Sequence, residues 1–243
     1  MNKSQLTNFI TKYTLGGEIK STKWTSNGDS LSTRFISGDK SVVGSVVLSK
    51  FNHLAPCQLG VYNTGQLSSL LSVLGDDVEL NLSQSGDKFI SMEFEDTNRK
   101  TKSKYMLSDL SVIPTPPELK NLPSEFELGI KVDSYFINTF TSGKSALAEA
   151  ETFTILTENN ETKIVIGYAS IASNRVTIPV ETTKYQDIEP ISFNANMFAS
   201  ILNANKDCES ATLEVSSAGL SRIQFSIDNY DSEYFLVSTQ AVN

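Results

Sequence analysis

One feature constrains this chain more than any other: a short amphipathic helix followed by alternating strands occurs four times. The helices are expected to begin near Ser4, Gly65, Asp133 and Asn196. Their apolar anchors are Leu6/Phe9/Ile10, Leu67/Leu70/Leu71/Leu74, Phe136/Phe140 and Phe198/Ile201/Leu202. Residues three and four apart share a helix face, so each set forms one apolar stripe. From Leu6 to Leu67, Phe136 and Phe198 the steps are 61, 69 and 62 residues, the signature of a structural repeat.

One helix and a small antiparallel sheet cannot bury both apolar faces alone, so the repeats are expected to share cores in pairs. That gives two similar domains, residues 1–113 and 124–243, in an α+β fold. Between them Pro114-Thr115-Pro116-Pro117-Glu118-Leu119-Lys120-Asn121-Leu122-Pro123 carries four prolines. Repeated fixed φ and missing N–H donors predict an extended connector over 114–123.

The strands follow the same logic. In the first repeat they are expected over 18–24, 30–35 and 42–48, with Asn27-Gly28 supplying the positive φ of a tight hairpin. In the second, 78–82 and 89–94 flank Ser85-Gly86-Asp87. In the third, 152–156 and 163–168 flank Glu158-Asn159-Asn160-Glu161. There Gly143, Thr139 and Thr141 weaken the end of the helix. In the fourth, 211–215, 221–227 and 233–237 alternate around Ser217-Ala218-Gly219.

Composition narrows the class. The chain is 39% apolar, enough for two modest cores, and no stretch has the length and apolarity of a membrane span. Residues 1–13 lack the apolar centre of a signal peptide. Cys57 and Cys208 are too few and too isolated for a disulfide scaffold or a zinc site, so a reducing cytoplasm is expected. Enzyme signatures are missing. Thr141-Ser142-Gly143-Lys144-Ser145 imitates the end of a phosphate-binding loop, but Asn138 stands where that motif requires glycine. His53 is the single histidine, and Ser49 and Cys57 near it make no nucleophile, base and acid set. Asp76/Asp77 and Asp228/Asp231 read as turn or surface acids. Neither catalysis nor a cofactor or metal is expected.

The order and spacing of these elements resemble a DNA sliding clamp. The resemblance is to the two-domain replication clamps of tailed bacteriophages and, more distantly, to proliferating cell nuclear antigen. It spans almost the whole chain and is most specific over Val61 to Leu74, continued by Asp76-Asp77-Val78-Glu79-Leu80, and again from Phe198 to Leu202 followed by Thr212 to Val215. The resemblance implies a DNA clamp fold and a homotrimeric ring around duplex DNA. Such a ring tethers a replicative DNA polymerase, raising its effective concentration at the primer end, and is opened by a separate ATP-dependent clamp loader. It further implies the cytoplasm of an infected bacterial host. Another use of such a fold is a non-ring phage structural or adaptor protein.

Charge is at odds with an ordinary DNA-binding groove, because 20 Lys/Arg against 28 Asp/Glu leave a net charge of −8. A ring resolves this by segregating charge. Lys3, Lys12, Lys144 and Lys206, in or beside the first, third and fourth helices, are the DNA-facing candidates. The second helix has no Lys or Arg and offers only Gln66, Ser68, Ser69 and Ser72. By the same resemblance, strand 105–112 meets strand 175–180 of a neighbouring copy. A polymerase peptide docks beneath the connector at Leu119 and Leu122, with Phe235 beside it.

Overall fold

The computed structural model describes residues 1–119, 122–123, 125–169 and 174–239. Lys120 and Asn121 of the expected connector, and Ser124, 170–173 and 240–243 of the second expected domain, lie outside them.

The chain divides into two compact units. The first comprises Met1–Ile36, Gly44–Pro116 and Asp228–Ser232; the second comprises Ser37–Val43, Pro117–Ile227 and Glu233–Asn243. Each unit thus takes in a short piece from a distant part of the sequence. In the first, the Asn229 carbonyl accepts from the Ser49 amide at 2.8 Å. In the second, the Ser41 carbonyl accepts from the Val237 amide at 2.9 Å.

The first unit contains α1 (Lys3–Thr14), β1 (Thr22–Ser26), β2 (Ser30–Ile36), most of β3 (Val42–Ser49), β4 (Cys57–Val61), α2 (Thr64–Ser72), β5 (Val78–Ser85), β6 (Lys88–Asp96) and β7 (Lys102–Met106). The second contains β8 (Leu128–Val132), α3 (Ser134–Ala146), β9 (Thr152–Glu158), β10 (Glu161–Ile166), β11 (Val176–Val180), β12 (Thr182–Lys184), β13 (Ile191–Asn194), α4 (Ala195–Ala204), β14 (Ala211–Ser216), β15 (Leu220–Ile227) and most of β16 (Tyr230–Val237).

Each helix is followed by a three-stranded antiparallel meander: β1-β2-β3, β5-β6-β7, β9-β10-β11 and β14-β15-β16. The two repeats of a unit are joined by a reciprocal exchange. In the first unit, β4 precedes α2 yet pairs with β1, setting Leu59 opposite Trp24. Asn2, preceding α1, bridges to Asp77 at the mouth of β5. The second unit repeats the device, as β8 before α3 pairs with β14 and β13 before α4 pairs with β9. Backbone groups of one repeat are therefore satisfied by the other, which ties the two into one core.

The cores are aromatic. In the first unit Phe9 meets Tyr13 and Trp24 edge-on, both at 5.5 Å, and the Trp24 indole donates to the Tyr13 hydroxyl at 3.1 Å. In the second, Phe140 meets Phe153 at 5.2 Å and Phe198 at 4.9 Å, both edge-on. Edge-to-face rings of this kind add to the stabilisation from area burial.

Several local expectations need correction. β1 begins at Thr22, because residues 15–17 form a 3-10 turn whose Leu15 is left-handed, φ 48°. The β1–β2 hairpin places Gly28, φ 96°, at the first of two loop positions, the arrangement of a type II′ turn. Asn27 stands before it, and its side chain accepts from the Asp29 and Ser30 amides. Asn159 and Asn160 do supply two consecutive positive φ values, 53° and 62°, as a type I′ turn requires. The expected strand 105–112 ends at Met106. The chain then crosses to β4, the Ser108 amide bonding Gly60, and residues 110–112 form a 3-10 turn capped by Asp109. Helix α3 runs on to Ala146 despite Gly143, and Thr139 and Thr141 donate back to the Tyr135 and Ile137 carbonyls. The missing side chain at Gly143 also admits Val176 and Ile166 against the helix.

Candidate nucleic-acid interface

Each unit pairs its two helices over its sheets: α1 with α2, α3 with α4. Phe136 on α3 meets Phe198 on α4 at 6.3 Å, and the Tyr13 hydroxyl on α1 reaches Thr64 on α2 at 3.5 Å. Leu6, Phe9, Ile10 and Tyr13 of α1, Leu67 and Leu71 of α2, and Phe136 and Phe140 of α3 are buried, as are Phe198, Ile201 and Leu202 of α4. The apolar stripes face inward and the opposite faces are left to solvent.

Those outer faces are unusual in charge. The four helices, of twelve, nine, thirteen and ten residues, contain no Asp or Glu. At the chain average of 28 acids in 243 residues, about five would be expected. Glu is a good helix former, so its exclusion runs against intrinsic propensity. The side chains turned outward are hydroxyls and amides, among them Ser4, Asn8 and Thr11 of α1, Gln66, Ser69 and Ser72 of α2, Asn138, Ser142 and Ser145 of α3, and Asn196 and Asn203 of α4.

Helix starts normally attract carboxylates, because unpaired N–H groups and the helix dipole favour negative charge there. Here the caps are mostly neutral. Asn2, Asn63 and Asn194 accept from the amides of Ser4, Gln66 and Met197. Asp133 caps α3, accepting from Phe136 at 2.9 Å. That amide, aided by the Lys131 ammonium at 3.4 Å, holds the Asp133 carboxyl below the usual carboxylate range.

Many of the hydroxyls are already committed. Thr7 and Thr11 donate to the Lys3 and Thr7 carbonyls at 3.0 and 2.9 Å, and Ser69 and Ser72 to Gly65 and Ser69 at 3.0 and 2.7 Å. On α3, Thr139, Thr141 and Ser145 each donate at 2.8 Å to the carbonyl four residues back. A carbonyl has no proton to give, so in each pair the hydroxyl is the donor.

The expected lysines occupy varied surroundings. Lys12 is 6% exposed, with its ammonium 5.5 Å from the centre of the Tyr230 ring. Lys144 is 8% exposed, and its ammonium donates to the carbonyls of Leu147 at 3.3 Å and Ala148 at 2.7 Å, closing the end of its own helix. Lys3 is half-buried and donates to the Leu74 carbonyl beyond α2. Lys206 is exposed, in the turn after α4. Long side chains fold back along the protein to reach helix-end carbonyls, which spacing in sequence does not reveal.

Leu119 and Leu122 are 37% and 39% exposed, but Phe235 is 3% exposed and belongs to the core of β16. It presents no open surface, and the exposed apolar residue at the end of that strand is Val237. β7 and β11 are both outer strands of their sheets. Residues 141–145 lie within α3, so they form no phosphate loop. His53 packs edge-on against Phe51 at 5.2 Å. Among the described residues, no three His, Cys, Asp or Glu side chains come together in a metal-binding group, and no helix is long and apolar enough to cross a membrane.

Helical spacing draws attention to the lysines and not to the uncharged faces of α1, α3 and α4. The signal that marks them is an absence: past the Asp133 cap, the four apolar-periodic segments carry no carboxylate.

No family model matches the sequence, and no curated protein matches it. The fold does have a counterpart among solved structures. Proliferating cellular nuclear antigen from Entamoeba histolytica aligns over 98% of this chain and 96% of its own, with a TM-score of 0.74 at 16% identity. The chain has an α+β fold of repeated helix and antiparallel-sheet units like that of the clamp protein proliferating cell nuclear antigen, and at this identity the likeness is one of fold.

Proposed function

We propose that the chain is a sliding clamp that encircles duplex DNA and tethers a replicative polymerase. The observation that carries this reading is the exclusion of every carboxylate from four helices of a chain with net charge −8. Helices without a carboxylate lower the repulsion of phosphate by a duplex passing beside them, while the acids elsewhere keep the protein soluble. The near full-length likeness to a clamp fold supports the same reading.

In the finer form of the proposal, three copies close the ring, with β7 of one copy beside β11 of the next. Both are five-residue outer strands whose free backbone groups need a cover. A polymerase peptide docks at the connector around Leu119 and Leu122, and an ATP-dependent loader opens the ring. Lys206 and Lys3 are the expected cations nearest to phosphate. The order of the repeats favours a clamp of a tailed bacteriophage, acting in the cytoplasm of the infected bacterium.

The test uses topology. Protein is threaded onto linear biotinylated duplex DNA, and the ends are then blocked with streptavidin. A ring is retained on blocked DNA and lost when one end is released, and sedimentation over a concentration series gives a trimer. Equal loss from blocked and open DNA would instead support a non-ring adaptor.

A further inference from the structure

The internal repeat leaves a crevice at the same place in each unit. In the first unit the chain leaving β7 bonds twice: the Leu107 amide donates to the Ile90 carbonyl and the Ser108 amide to the Gly60 carbonyl, both at 2.9 Å. In the second, the chain leaving β16 does the same, the Ser238 amide donating to the Gly219 carbonyl and the Thr239 amide to the Ser192 carbonyl, both at 2.8 Å. Beside each pair of bonds lies an open space, of about 480 Å³ in the first unit and about 500 Å³ in the second.

The two crevices differ in chemistry. Ile90 and Leu107 stand where the second unit has Gly219 and Ser238, and Phe89 and Leu110 extend the apolar lining; the second crevice is lined with the hydroxyls of Ser192, Ser217, Ser238 and Thr239. The backbone differs as well. β4 is the last strand of its sheet, and alternate residues of such a strand turn their N–H and C=O groups away from the neighbour. The Gly60 carbonyl faces out to Ser108, so Gln58, two residues earlier, faces the same way. The chain then departs through the 3-10 turn at 110–112 and leaves Gln58 exposed. In the second unit the matching residue is Pro190, which has no N–H to offer. An added strand therefore finds both a donor and an acceptor only in the first crevice. Charge narrows the ligand further. At the rim Lys88 is held by Asp109 at 2.6 Å, while exposed Asp87 has no ion-pair partner among the described residues, which leaves one uncompensated carboxylate.

We propose that the crevice beside Gln58 binds an extended peptide of a partner protein. The peptide pairs with β4 through its backbone, sets two alternate apolar side chains against Phe89, Ile90, Leu107 and Leu110, and presents a basic residue to Asp87. Alternate side chains of a strand lie about 7 Å apart on one face, so a short segment supplies both anchors. Leu119 and Leu122 do not line this crevice, which makes it a site separate from any at the connector. Binding here requires neither a ring nor DNA.

The probes are capped synthetic hexapeptides with Leu, Ile, Met or Phe at two alternate positions, Thr between them, and either Arg or Glu at one end. Binding to the full chain is read by fluorescence anisotropy, and hydrogen exchange locates it. At least one Arg peptide is expected to bind with a Kd below about 1 mM and to slow exchange in β4. Its Glu counterpart is expected to bind about threefold more weakly. Methylating the peptide nitrogens one at a time should weaken binding about fivefold at the position that pairs with Gln58 and little at its two neighbours. Gln58→Pro, which copies the second unit, should cause a similar loss, and Ile90→Glu should abolish binding; circular dichroism checks that both variants are folded. No binding by any Arg peptide below about 1 mM overturns the proposal. Binding that survives both nitrogen methylation and Gln58→Pro overturns it too, as does equal or tighter binding of the Glu peptides. If the parent takes no peptide and Ile90→Glu lowers its self-association in sedimentation, the face belongs to a second copy and the proposal falls.

Discussion

Replacing Lys144 by methionine separates a helix cap from a DNA contact. Methionine keeps most of the buried stem, so the change removes the ammonium with little loss of packing. In the structure that ammonium makes one short bond, 2.7 Å to the Ala148 carbonyl, and one long bond, 3.3 Å to the Leu147 carbonyl. A hydrogen bond to a charged group contributes about 1.5–3 kcal/mol. A cation at a helix C-terminus adds about 0.3–1 kcal/mol. Ala148 is exposed, so water replaces part of what the ammonium supplied. The expected net loss is therefore about 1.5 kcal/mol. For a unit of this size that lowers the melting temperature by roughly 6 °C. Urea unfolding followed by far-ultraviolet circular dichroism should show a lower midpoint with an unchanged slope, while retention on end-blocked DNA stays as before. A loss below about 0.5 kcal/mol together with weaker DNA retention would refute the capping role, because the ammonium would then be working outside the protein.

Phe140→Ala removes the ring that meets Phe153 and Phe198, and is expected to cost about 3–5 kcal/mol in urea unfolding. A cost under about 1 kcal/mol would mean that the cluster collapses to fill the space. Asn205→Leu deletes an amide that donates to the Ile201 carbonyl at 2.9 Å and the Tyr234 hydroxyl at 3.1 Å in the core, at an expected cost of about 2 kcal/mol by calorimetry. No measurable loss there would show that the leucine packs as well as the bonded amide. Asp133 has its folded pKa depressed by the Phe136 amide and by Lys131, so its contribution is complete above its unfolded value near 4 and fades as pH falls through the lower folded value. Asp133→Asn keeps a cap acceptor but cannot titrate, so the difference in melting temperature between it and the parent is expected to shrink on going from pH 6 to pH 3; a constant difference would exclude the linkage.

The amino-acid sequence by itself determined the four repeats, since their apolar positions follow the 3.6-residue period that any amphipathic helix must show. It also determined most strands and the Asn159-Asn160 turn, because hairpins with alternating faces depend on neighbours only a few residues away. Local chemistry is written locally. What only the tertiary structure decided was where long-range partners lie. Nothing in β4 announces that it pairs with β1 and not with its own repeat, since any strand offers the same backbone donors and acceptors to any edge. The same holds for Ser37–Val43 and Asp228–Ser232, each of which joins a unit otherwise drawn from elsewhere in the chain. Phe235 falls in the same alternation as the exposed Asp231 and Val237, and its burial follows from what covers that face. The lysines show the limit most clearly. Helical spacing places Lys12 and Lys144 on their helices, but a four-carbon stem reaches several possible partners. An aromatic ring more than two hundred residues away and two carbonyls past a helix end claimed them, because a buried ammonium must find compensation within the fold.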